Sequence, residues 1–170
     1  CRMLTGRDGL LAALVFIAIM LAAWGLFNVF GARAALLHVG AVMGTMMVAN
    51  VAMHIIPGQK RMVADIRAGR APDPMPGVIG KQRSVHNTYF TLPVLFIMIS
   101  NHYASTYAHA FNWTILVLMM AAGAAIRHFF NRKHKGVYAW GYPALGAALL
   151  AVVAWWTQPR VVELPPVEGE

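Results

Sequence analysis

The sequence predicts an all-α protein, a polytopic integral membrane helical bundle with five transmembrane helices, and three observations carry that expectation. Hydrophobic residues make up 59% of the 170 and charged residues 12%, with a mean hydropathy of +0.57, a composition far from that of a soluble domain. The apolar residues fall into five runs, each near the roughly 20 residues that a helix needs to cross a bilayer. The net charge of +8 sits in short basic patches between those runs, as in a membrane protein, so the implied partner is a lipid bilayer and not nucleic acid.

The expected spans are about 10–30, 34–56, 86–103, 111–130 and 137–156, giving a transmembrane domain over 1–157. The first ends in an aromatic cluster, Trp24, Phe27 and Phe30. The second carries Gly40 and Gly44, a GxxxG pair that would let another helix approach closely, and stops at Pro57. Between the second and third spans, the prolines and glycines of 57–85 predict a polar loop with no more than a short helical turn near 62–68. Beyond the fifth span, 158–170 is acidic and Pro-rich and reads as a linker. The chain opens on Cys1 and enters a span within ten residues, which reads as a fragment of something longer; a single cysteine excludes an internal disulfide and any CxxCH haem attachment.

Basic residues set the expected orientation. Arg2, Arg7, Lys60, Arg61, Arg67, Arg70, Lys81, Arg83, Arg127, Arg132, Lys133 and Lys135 lie on one side of the five spans, Arg33 and Arg160 on the other. That places the 57–85 loop in the cytoplasm and the tail outside. Aromatics fit the same frame, with Tyr107, Phe111, Trp113, Trp155 and Trp156 at the outer boundary and Phe129, Phe130, Tyr138 and Trp140 at the inner one.

The third span differs from the rest, because an apolar run centred on Pro93 is flanked by Arg83, His86, Asn87, Thr88, Tyr89 and Thr91 at its inner end and by Ser100, Asn101, His102 and Tyr103 at its outer end. Imidazoles and amides at membrane depth need a partner, a cavity or a cofactor, which makes this span the candidate functional site; the competing reading leaves both ends in the headgroup region. Histidines add a second pattern. His38 and His54 on the second span, and His86 and His102 on the third, are each 16 residues apart, so antiparallel helices put His38 level with His102 and His54 level with His86. Two bis-histidine sites for haem b, or one, fit by depth. Azimuth opposes two, since 16 steps of about 100° leave the members of each pair roughly 160° apart; the alternative reading makes them interhelical hydrogen-bonding groups. His128, beside Arg127, joins the inner cluster. Met43, Met46 and Met47 invite a Cu(I) reading that helix packing explains more simply.

The stretch GKQRSVHNTYFTLPVLFIMISNHY, with HVGAVMGTMMVANVAMHIIPGQK before it and FNW and IRHFFNRKHKG after it, resembles the membrane domain of the PuuD-type, cytochrome c-linked urate oxidases (urate hydroxylases) over about 38–136. The resemblance implies a bacterial inner (cytoplasmic) membrane oxidoreductase of purine catabolism, with loop 57–85 cytoplasmic and the C-terminus periplasmic. Its activity would be oxidation of urate toward 5-hydroxyisourate, with electrons passing to a c-type cytochrome or the respiratory chain. The c-type haem is expected on a domain or partner outside this chain, which has no CxxCH.

Urate at neutral pH is a planar, largely monoanionic purine, so its site needs a cation, amides or hydroxyls and an aromatic face. The inner cluster supplies them: His86 and Asn87 are the expected catalytic residues and Arg83, Thr88, Tyr89 and Thr91 the expected binding groups, with Asn101 and Tyr103 as the outer counterpart. A redox centre held by His38, His54, His86 or His102 would relay electrons outward. Two other functions stay open at this stage, a b-type haem electron-transfer subunit without urate chemistry and a non-enzymatic scaffold or transporter part.

Overall fold

The computed structural model describes residues 7–158, and every regular element within them is a helix. Helices α1 (Asp8–Val29) and α2 (Ala32–Asn50) form a hairpin closed by Phe30 and Gly31. A π-helical turn, Val51–Ile55, carries α2 without a break into α3 (Ile56–Arg67). After a turn over 68–74 come α4 (Met75–Ser100), the one-turn α5 (Ala104–Tyr107), α6 (Asn112–Lys133) and α7 (Gly141–Trp156).

The sequence explains how these helices meet. Ala35, Leu36, Val39, Gly40 and Met43 repeat at three- and four-residue intervals, so they form one buried stripe on α2. That stripe joins Ile19 and Ala23 of α1, Ile97 of α4, and Leu116 and Met120 of α6 in a single core, where Met43 has no exposed surface. Glycine permits two close crossings. A Cβ on Gly123 would lie 2.9 Å from Pro93 Cδ, and one on Gly146 would lie 2.5 Å from Ile126 Cγ1, so only a residue without a side chain lets α6 approach α4 and α7 this closely. At the two ends, Phe111 stacks on Trp156 at 5.7 Å and Phe129 packs on Trp140 at 4.9 Å, grouping the aromatics as the sequence predicts.

Outside the core the surface stays apolar. Leu14, Ile17 and Leu21 of α1 and Leu95 and Ile99 of α4 are exposed, the arrangement expected where the surrounding solvent is lipid. Three helical segments, Gly9–Val29, Ala32–Arg67 and Asn112–Lys133, are long and apolar enough to cross a membrane, against the five spans expected. The 26 residues of α4 suffice in length, but their first half is polar; α7 is apolar but has 16 residues.

The largest correction concerns 57–85, which is helical except for 68–74 instead of a polar loop. Three prolines are accommodated because none stands where an α-helical N–H is required. In the π-helical turn the Ile56 N–H bonds to the Val51 carbonyl, five residues back, and Pro57 follows this shifted register. Pro74 and Pro76 lie at the start of α4, where N–H groups have no intrahelical partner, and Asp73 accepts a 2.9 Å hydrogen bond from the Met75 N–H. Gly58, packed on Pro76, seats α3 against the start of α4. The third expected span, 86–103, therefore begins eleven residues early, at Met75, and ends at Ser100. Within the GxxxG pair, Gly40 meets Ile97 of α4 whereas Gly44 faces open space. The Pro-rich tail from 159, Arg2 and Arg160 lie outside the described residues.

Candidate functional site

Helix α4 packs against α2 and the π-helical turn on one side and α6 on another, and its first half carries polar side chains into both seams. Such groups, turned away from water, must find partners inside the bundle.

On the α2 side they form a chain of hydrogen bonds. Arg83 Nη1 donates to Asn50 Oδ1 at 2.8 Å, Asn50 Nδ2 donates to Asn87 Oδ1 at 2.8 Å, and Asn87 Nδ2 donates to the Met47 carbonyl at 3.0 Å. The spacing makes this possible, since Arg83 and Asn87 are four residues apart on α4 and Met47 and Asn50 three apart on α2, each pair on one helix face. The π-helical turn contributes as well. The Val51 N–H is shared between the Met47 and Val48 carbonyls, which leaves Met47 oxygen capacity for the Asn87 amide.

On the α6 side, the Tyr89 hydroxyl and His128 Nδ1 share a 2.7 Å hydrogen bond, and the His128 ring stands edge-on to Tyr142 of α7 at 4.5 Å. The Arg132 guanidinium lies 6.0 Å from the centre of the Tyr142 ring, at the limit of a cation–π contact. Asn131 Nδ2 donates to Thr88 Oγ1 at 3.3 Å, while Thr88 donates to the Val85 carbonyl.

Charge distinguishes the site. Helices α2, α4, α6 and α7 contain no Asp or Glu, yet α4 and α6 carry Arg83, Arg127 and Arg132 in their polar halves. There Arg83 bonds to a neutral amide and Arg132 lies over a ring, whereas the ion pair Arg70–Asp65, at 2.7 Å, belongs to α3 and the turn after it.

The structure thus brings Arg83, Asn87, Thr88 and Tyr89 into two linked seams. Thr91 bonds back to the Thr88 carbonyl of its own helix, and His86 is half-buried beside Asn87. The outer counterpart is separate: buried Asn101 accepts a 2.9 Å bond from Arg33 Nε, and Tyr103 is exposed. Of the proposed haem or metal ligands, His54 and His102 are exposed, and exposed His38 stacks on Phe30 at 4.6 Å with Nδ1 against the Ala34 carbonyl. Among the described residues no group of three or more His, Cys, Asp or Glu could hold a metal ion.

Sequence reasoning missed Asn50, Asn131 and Tyr142. The signal for Asn50 was an amide in an apolar run, and for Asn131 its four-residue spacing from Arg127 on one apolar helix. Two surface concavities, one along α3 beside Lys60, Val63 and Arg67 and one beside Gly31, Arg33 and Tyr107, border neither seam.

These features define a helical bundle with three segments able to cross a membrane and a polar half in which Arg83 is held by an amide and not by a carboxylate. The chain belongs to the Urate oxidase N-terminal family, which it matches over residues 1–158. No curated protein and no solved structure matches it.

Proposed function

We propose that this chain is the membrane domain of a urate oxidase of the PuuD type, with α1, the apolar part of Ala32–Arg67, α4, α6 and α7 as five spans, the 68–74 turn cytoplasmic and the end of α7 periplasmic. Family membership supports the urate chemistry. The observation that carries the site is Arg83, a half-buried cation whose bonded partner is the neutral amide of Asn50, in helices that hold no carboxylate. A guanidinium has five N–H donors, so the bond to Asn50 leaves donors for an anion.

In this reading the urate monoanion lies along the first half of α4. Arg83 offsets its charge, and Asn87 and Thr88 answer its carbonyl and N–H groups. Water supplies the oxygen that becomes the C5 hydroxyl of 5-hydroxyisourate, and His86 takes a proton from that water as the C–O bond forms. Two electrons leave urate, one at a time, for a one-electron acceptor such as a c-type cytochrome.

The reading is tested by adding urate and oxidised cytochrome c to the purified protein in lipid nanodiscs. Urate consumption coupled to reduction of two cytochromes per urate supports it; a protein that inserts and folds yet consumes no urate with any acceptor overturns it. The orientation is tested with Ala71→Cys in the 68–74 turn, which should resist a membrane-impermeant thiol reagent in intact cells and react after lysis.

A further inference from the structure

Leu116, Met120 and Gly123 form the buried stripe of α6 that faces the core and α4, and the next position in that stripe is Arg127. Asn131, one turn further, bonds to Thr88 of α4 and confirms the direction of this face. Arg127 is half-buried, its Nε is fully buried, and that Nε has no hydrogen-bond partner among the described residues. Buried donors in native proteins are satisfied, and a charged donor costs most when left unmade, so an unanswered guanidinium N–H marks a place for an acceptor. No carboxylate on α2, α4, α6 or α7 can be that acceptor.

A guanidinium extended only toward lipid headgroups would satisfy its outer Nη groups and leave Nε unmet. A planar anion approaching side-on satisfies Nε and one Nη together, in the two-pronged geometry that arginine forms with carboxylates and similar delocalised anions. We propose that Arg127 is a second cation of the urate site along the first half of α4, on its α6 side where Arg83 lies on its α2 side, and that it takes a planar, charge-delocalised heterocyclic anion of the urate type. The proposal rests on the functional reading above and deepens it: Arg127 distinguishes the urate anion from neutral purines of the same shape.

Binding is measured directly, by equilibrium dialysis of urate and of hypoxanthine, neutral at neutral pH, against the protein in nanodiscs with and without anionic lipid. Wild type should bind urate and discriminate against hypoxanthine. Arg127→Gln should weaken urate binding at least tenfold and erase the discrimination; Arg127→Lys, which keeps the charge and loses the two-pronged geometry, should fall between. If Arg127→Gln does not fold, the Arg127→Lys loss together with the wild-type preference carries the test. Urate binding unchanged in both variants overturns the proposal and leaves the urate reading intact, whereas wild type that binds no urate overturns both. Urate binding unchanged by the variants, with stabilisation by anionic lipid lost, shows that Arg127 serves a lipid headgroup and also overturns the proposal.

Discussion

Both ends of α4 meet an arginine through an asparagine, and the two meetings differ. At one end, exposed Arg33 bonds to Asn101 and the contact stops there. At the other, half-buried Arg83 bonds to Asn50, which bonds to Asn87, which bonds to the Met47 carbonyl beside a π-helical turn. An exposed arginine reaching back to an amide at a helix end is what a membrane boundary produces. A chain of amides drawn from two helices, with a cation at its head and no anion present, is an arrangement that packing alone does not require. In the function proposed above, the Asn101 end has a boundary role and the Arg83 end binds the ligand.

The sharpest way to break that contrast is to remove the chemistry from the Arg83 end. His86→Ala and Asn87→Ala should each lower urate turnover by about 100-fold or more, the scale at which a positioned acid–base or polarising group contributes, while membrane insertion measured by fractionation is unchanged. Next, Asn50→Leu should lower stability by about 1–3 kcal/mol in thermal unfolding, because it removes the acceptor of Arg83 Nη1 and the donor to Asn87 Oδ1 inside the bundle. Met43→Ala, in the apolar half shared by the same helices, should cost about 1–2 kcal/mol and leave turnover per folded molecule unchanged; lipid removes much of the transfer term that such a change carries in water, leaving mainly lost packing. The smallest effect is expected from exposed His54→Ala, below about 0.5 kcal/mol and without change in turnover.

These contrasts were partly legible in the sequence. The all-helical class followed from apolar runs of membrane length, the choice of the third span from imidazoles and amides standing where lipid would reject them, and the choice of its Arg83 end from the cation, amide, hydroxyl and aromatic set that a urate site would need. Helix boundaries around 57–85 were not legible, because proline and glycine usually end helices and only the π-helical register and the start of α4 show why Pro57, Pro74 and Pro76 do not. The 16-residue spacings speak only to depth, whereas exposure depends on which face each helix turns to the bundle, and there His38, His54 and His102 turn outward. The partners of the site were hidden for a similar reason: Asn50, Asn131 and Tyr142 acquire meaning through contacts 37, 43 and 14 residues away in sequence.

The account stands most directly on where the urate anion binds. Equilibrium dialysis of urate against Arg83→Gln and Arg33→Gln in nanodiscs compares the two arginines at opposite ends of α4. The account predicts at least tenfold weaker binding for Arg83→Gln and wild-type binding for Arg33→Gln. Wild-type binding by Arg83→Gln, with the loss appearing in Arg33→Gln, would contradict it and move the site to the Asn101 end.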